Sequence, residues 1–327
     1  MIQGHGDDTY LYTGVRANFS SNIYGGADMS GLKNLLRRHI DVIDHYPEPD
    51  ALSLREAIAR RYDIDAGCVL VTNGATEAIY LVAQALCHAG FKRYHVEQPT
   101  FSEYADACRA VGMETAEQAS DGVVSWLCNP NNPTGCVTPI GELPSHGVLV
   151  LDQSYEDYTL EPMLTHRQAA DCKDLWQIHS LTKAYAVPGL RIGYVVSCRD
   201  NIALLHRFAR PWAVNALAVV AGRWLLETDC RAVTDVQGLL CEAQRLNREL
   251  NLLRGITVFP TETNFMLARI EGHTSAALKD YLAREHGLLI RDASNFAGLD
   301  RHYFRVSAQQ QIENDLLVAA IRSFVER

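Results

Sequence analysis

Apolar positions along this chain fall in short continuous runs that alternate with longer stretches of helical period. "CVLVT" (68–72) predicts a buried strand, and "ATEAIYLVAQALCHAG" (75–90) predicts a helix closed by Gly90. "RYHVEQP" (93–99) reads as a second strand and "SEYADACRAVG" (102–112) as a second helix. Three apolar runs follow, "VVSWLCN" (123–129), "GVLVLD" (147–152) and "LWQIHSL" (175–181), and then a fourth, "RIGYVVS" (191–197). Residues from roughly 200 to 252 read as one long helical region. The remaining residues read as a second α+β unit, with strands near "TNFMLARI" (263–270) and "YFRVSA" (303–308).

Buried strands joined by helices imply a mostly parallel sheet covered on both faces, an α/β fold. The expected organisation has three parts. Residues 1–32 form an N-terminal arm packed against the small domain and the active site, 33–225 a large domain, and 226–327 a small C-terminal domain. In open α/β sheets, ligands bind at the carboxyl ends of the strands. Asn73, Asn132, Asp152 and Ser180 each follow an apolar run, so the chemistry is expected there.

Composition narrows the function. Hydrophobic residues make up 47% and charged residues 21%, as in ordinary globular proteins. No run approaches the ~18 apolar residues of a membrane span. The "MIQGHGDDTYLYTG" start lacks the apolar core of a signal peptide. A formal net charge of −9 argues against general nucleic-acid binding, yet a local cationic pocket can still take a small anion. The nine cysteines contain no CxxC pair and are expected to be mostly buried, reduced thiols of a cytoplasmic protein. No ligand cluster is visible in the sequence, so no metal is expected.

The window "SLTKAYAVPGLRIGY" (180–194) places Lys183 after an apolar run and Arg191 eight residues on. A lysine in apolar surroundings has a depressed pKa and can form a Schiff base. A pyridoxal phosphate enzyme needs such a lysine, a phosphate cradle and a carboxylate facing the ring nitrogen. "VTNGATEA" (71–78) is strand, glycine and helix start, so free N–H groups of Gly74, Ala75 and Thr76 can point at an anion. Ser180 and Arg191 can complete that cradle. Asp152 ends a buried strand, a costly place for an unpaired carboxylate. Tyr155 and the "CNPNNPTGC" turn (128–136), which presents Asn132, can reach a ring oxygen.

The strings "NGATEA", "NPNNPTG", "DQSY" and "SLTKAYAVPGLRIGY" resemble, in order and spacing, those of fold-type-I pyridoxal phosphate enzymes of aminotransferase class I/II. The resemblance implies a transferase-like fold, with a mostly parallel seven-stranded sheet between helices and a smaller α+β domain. It implies pyridoxal 5'-phosphate as cofactor, with Lys183 as Schiff-base lysine and Asp152 on the ring nitrogen. By the same resemblance Asn132 and Tyr155 bind the ring oxygen, and Tyr104 of "PTFSEYADA" stacks on the ring. Gly74, Ala75, Thr76, Ser180 and Arg191 hold the phosphate. Tyr46 of "HYPEPD" matches a tyrosine that reaches the phosphate of a neighbouring subunit, which implies a homodimer with shared sites.

Arg291 and Arg305 match arginines that bind the anionic groups of a phosphorylated amino substrate. The stretch "GHGDD…ANFSSNIYGG" resembles the start of L-threonine-O-3-phosphate decarboxylases of cobalamin synthesis, which places His5, Ser21 and Asn22 near the substrate. Asp7 and "NIYGG" depart from that pattern. The alternative is an aminotransferase of the histidinol-phosphate type, because the same lysine and aspartate serve either outcome. A third reading, an effector-binding module of a transcription regulator, requires an added DNA-binding domain.

Overall fold

The computed structural model describes residues 6–327. Its elements follow the chain as β1 (Ala17–Asn18), α1 (Ser30–Arg38), α2 (Leu52–Tyr62), β2 (Val69–Thr72), α3 (Gly74–His88) and β3 (Arg93–Val96). Next come α4 (Glu103–Ala110), β4 (Glu114–Thr115), β5 (Val123–Cys128), β6 (Val148–Asp152), α5 (His166–Ala170), β7 (Leu175–Ser180), α6 (Leu181–Ala184) and β8 (Gly193–Val196). Helices α7 (Arg199–His206), α8 (Ala216–Thr228) and α9 (Val236–Asn251) lead to β9 (Ile256–Val258) and β10 (Phe265–Ile270). The chain closes with α10 (Ser275–His286), β11 (Leu288–Leu289), β12 (Arg291–Asp292), β13 (Tyr303–Ser307) and α11 (Gln311–Val325).

Seven strands form the main sheet in the order β2-β8-β7-β6-β5-β3-β4. All neighbours pair in parallel except β8, which runs antiparallel to both β2 and β7. Every strand expected from an apolar run is present. The runs are continuous because both sheet faces are covered. Val69, Val71, Leu149, Leu151, Tyr194 and Val196 point into one core with α2 and α8, while Leu70, Val150, Ile178 and Val195 point into the other with α3. Each fully buried aliphatic side chain contributes about 1.5–3 kcal/mol relative to exposure.

A second sheet, β12-β13-β10-β9, is antiparallel. Its register sets Arg291 directly opposite Arg305. The arm joins this part of the molecule: β1 pairs in parallel with β11, and the Ser307 N–H donates to the Phe19 carbonyl at 3.0 Å.

One expectation gains detail and one needs correction. The helical region 200–252 is built of three helices. Pro211 lies in the first break, where Asn215 then caps α8 by accepting from the Ala218 N–H. Asp229 is left-handed at φ 50°, and Asp235 caps α9. Of the nine free cysteines only Cys68, Cys108 and Cys128 are buried, while Cys136, Cys230 and Cys241 are exposed. The exposed three lie on a loop, after a helix end and on a polar helix face, where no apolar run holds them in.

The "NPNNPTG" turn locks onto the second sheet through Gly135, at φ +79°. A Cβ there collides with Thr261 Oγ1 and the Phe265 carbonyl. Gly135→Ala is expected to cost about 3 kcal/mol from left-handed strain plus overpacking. Gly90→Ala, where a Cβ meets nothing within 4 Å, is expected to cost less. Urea denaturation midpoints check the difference.

Candidate active site

The carboxyl ends of β5, β6 and β7, the start of α3, the second sheet and the arm enclose one cavity of about 450 Å³. Lys183 and Asp152 both line it. Strand β7 ends at Ser180, whose Oγ accepts from the Thr182 N–H at 3.2 Å and opens the single turn of α6. Lys183 sits in that turn. Its Nζ donates to the Ser21 carbonyl at 2.9 Å and lies 5.7 Å from the Tyr155 ring centroid. Burial, with Arg305 and Arg191 nearby, pushes its ammonium down to about 8. Roughly a tenth is then neutral amine at pH 7.

Asp152 ends β6 and is buried. Its Oδ1 accepts from the Ser154 N–H at 2.9 Å and its Oδ2 from the Tyr104 hydroxyl at 2.9 Å. Burial pushes the carboxyl above its ordinary value, and these two donors pull it part of the way back. Neither donor is charged.

Ala75, Thr76, Ser180 and Arg191 line the same cavity beside the N-terminus of α3. Gly74 has φ +80°, and a Cβ there would lie 2.5 Å from Arg191 Nη2. A Cβ on Gly193 would lie 2.5 Å from the Ala75 nitrogen. Two glycines therefore clear the ground around a helix start and let a guanidinium lie against it, an anion cradle.

Arg291 and Arg305 are both buried, face each other across β12 and β13, and line the cavity. Burial lowers both guanidinium pKa values, that of Arg305 to about 10. Like charges directly opposite on neighbouring strands are destabilising. The arm carbonyl of Ser20 and the Asn132 side-chain oxygen accept from Arg305, and Asn295 Oδ1 accepts from Arg291 at 2.7 Å. With its oxygen engaged, Asn132 keeps its amide N–H groups for another partner. Tyr155 lines the cavity, with its phenol pushed up to about 12 by burial.

The remaining expected site residues are placed as follows. Asn22 is fully buried, at φ 56°, between Ser21 and Ile23 of the lining. Tyr46 is 83% exposed and packs on Trp212, away from this lining. His5 lies outside the described residues. Tyr104 does line the cavity, with its ring 1% exposed and stacked on Trp126 at 5.5 Å. Sequence reasoning missed Phe101, Asn295 and Phe296, which all line the cavity. Phe101 stands in the same "PTFSEY" string, three positions before Tyr104. The arm also brings Asp7 to the lining, at φ 63°.

Among the described residues one group with metal-ligand atoms occurs, Glu156, His166 and His179. Its ligand atoms lie within 4.8 Å of one another, and its imidazoles are stacked at 4.1 Å and 14°. His179 Nδ1 pairs with Glu156 at 2.8 Å and His166 Nε2 with the Tyr194 hydroxyl at 2.9 Å. Burial drives both imidazoles toward the neutral form. The group reads as hydrogen-bonded packing behind Tyr155 and Ser180.

Lys183 gives a pH signature. Its folded pKa of about 8 lies below the ordinary 10.5, so the unfolded chain binds more protons between those values. The cofactor-free protein is expected to gain stability from this group as pH rises through that window. Lys183→Met should be more stable than wild type at pH 7, with the gap closing toward pH 10.5. Urea midpoints across pH test this, and parallel curves would contradict it.

Comparison with known proteins agrees with this geometry. The model of the family "Aminotransferase class I and II" matches residues 17–121 and 114–321. A threonine-phosphate decarboxylase of Salmonella typhimurium is 31% identical, over 94% of this chain and 90% of that protein. The crystal structure of L-threonine-O-3-phosphate decarboxylase from Porphyromonas gingivalis superposes with a TM-score of 0.90 at 36% identity, covering 95% of this chain and all of that one. A histidinol-phosphate aminotransferase of Caldanaerobacter subterraneus subsp. tengcongensis is 26% identical, over 88% of this chain and 85% of its own length. The chain belongs to the aminotransferase class I and II family, whose cofactor is pyridoxal 5'-phosphate.

Proposed function

We propose that this protein is a pyridoxal phosphate-dependent carboxy-lyase that converts L-threonine O-3-phosphate to aminopropanol phosphate and CO₂, as in cobalamin synthesis. The observation that carries the reading is the buried cross-strand pair Arg291 and Arg305, open to the cavity of Lys183 and Asp152. Two cations forced side by side and desolvated call for a substrate with two anionic groups. Relatives at 31% and 36% identity that carry the decarboxylase name support it.

The residues present fit the cofactor. The α3 start cleared by Gly74 and Gly193 suits its phosphate, with Ala75, Thr76, Ser180 and Arg191 as further holders. Asp152 carries two neutral donors and a burial penalty that a protonated ring nitrogen would offset. Asn132 and Tyr155 would take the ring oxygen. When bound, pyridoxal phosphate supplies an aldehyde for the substrate's amino group and a ring that withdraws electrons from the α-carbon.

The chain's own residues do the rest. Arg291 and Arg305 fix the substrate at two points, and the arm at Ser20 and Ser21 closes over it. That orientation decides whether the carboxylate or the hydrogen on the α-carbon leaves. When the carboxylate leaves as CO₂, a proton must be returned to that carbon. Lys183 Nζ, titrating near pH 8, can hold it. Turned the other way, the same amine removes the α-proton and transamination follows.

We further propose a homodimer in the cytoplasm. No helix among the described residues is long and apolar enough to cross a membrane. Ile40, Ile43, Tyr46, Leu52 and Trp212 are exposed apolar side chains of one region, and a second copy covering them would bring Tyr46 to its partner's cradle.

Incubation with L-threonine O-3-phosphate is expected to release CO₂ without any 2-oxo acid, and activity only with such an acceptor would favour the aminotransferase. Arg305→Gln and Arg291→Gln should each lower kcat/KM roughly a hundredfold. Mixing Tyr46→Ala and Lys183→Ala proteins should restore activity through hybrid sites. No rescue despite demonstrated subunit exchange would count against sharing.

A further inference from the structure

We infer that the Tyr104 hydroxyl is the positioning group of the Asp152 carboxylate, and that it is carried there by a helix tied to the phosphate cradle. The inference rests on the ring-nitrogen role proposed for Asp152 and is indifferent to which reaction follows.

The ring of Tyr104 reaches the cavity lining but is only 1% exposed. One neighbour is the Trp126 ring, stacked at 23°, and another is Phe101, edge-on at 5.7 Å and 81°. What Tyr104 sends toward Asp152 is its hydroxyl, 2.9 Å from Oδ2 in a fully buried bond. Ser154 holds the other carboxylate oxygen from its own backbone. The carboxylate is thereby gripped on both oxygens, and each oxygen retains a lone pair for a further donor.

The grip is linked to the cradle. Tyr104 lies in the first turn of α4, next to Glu103. Glu103 Oε2 accepts from the Tyr80 hydroxyl at 2.9 Å, and Tyr80 belongs to α3, whose first residues are Gly74, Ala75 and Thr76. One hydrogen bond thus sets α4 against the helix that would hold the phosphate, and a second sets Asp152 against α4. The distance between phosphate site and ring-nitrogen site is fixed by this relay as well as by the sheet.

A phenol donating to a carboxylate stabilises its ionised form. Tyr104→Phe keeps the packed ring and removes only the donor. In full-length protein labelled with carbon-13 at the aspartate carboxyls, with Asp152 assigned by its loss in Asp152→Asn, the titration midpoint should rise by about one unit in Tyr104→Phe. The acid limb of the pyridoxal phosphate dissociation constant against pH should move up by the same amount, while the melting temperature stays within a few degrees. An unmoved midpoint in a folded variant overturns the inference. So does a midpoint that moves while the acid limb of cofactor binding stays in place. Failure of Asp152→Asn to weaken cofactor binding would instead sink the role of Asp152 itself.

Discussion

Burial raises the free energy of an ionised carboxylate and of an ionised amine alike, and this cavity buries one of each without making them each other's partner. Lys183 rests on a backbone carbonyl and Asp152 on two neutral donors. Direct pairing would have stabilised both and quenched both. Kept apart, the amine titrates near pH 8 and the carboxylate above its ordinary range, so each retains unspent electrostatic capacity. Under the proposed function, a cofactor with an aldehyde on one side and a basic ring nitrogen on the other would lie between them. The rest of the fold can be understood as the scaffold that keeps this separation.

That scaffold has three sources. Parallel strands deliver Asp152 and Ser180 at their carboxyl ends, where the backbone turns and side chains can converge. The second sheet delivers its two arginines by register, so a slip of one residue would turn both away. The arm crosses from one part to the other: Phe19 is hydrogen-bonded to the second sheet and β11, while the next two carbonyls accept from Arg305 and Lys183. Four cationic side chains, Lys183, Arg191, Arg291 and Arg305, line that cavity, and the carbonyl dipoles of the arm, together with Asp7 at the lining, offset part of their repulsion.

Much of this was legible in the sequence, for a physical reason. Strands buried on both faces must be continuously apolar, so their ends announce themselves, and the polar residues at those ends stand out. Lys183, Asp152 and Arg191 were readable in that way and do lie on one cavity. The α7–α9 breaks were not, because caps such as Asn215 and Asp235 are single polar residues inside an amphipathic pattern. The place of Tyr104 was also hidden. Two aromatics three apart in "PTFSEY" both line the cavity, and only the turn before α4 decides that Phe101 is left partly open while the Tyr104 ring is almost fully packed. Cross-strand facing of Arg291 and Arg305 depends on a register that no local pattern records.

The central claim is that the amine of residue 183 is the one that meets the cofactor's aldehyde. Borohydride treatment of the cofactor-loaded protein, followed by proteolysis and mass spectrometry, tests it most directly. A pyridoxyl group fixed on Lys183 is the predicted result. A pyridoxyl group on another lysine, or none on a protein that retains bound cofactor, would contradict it.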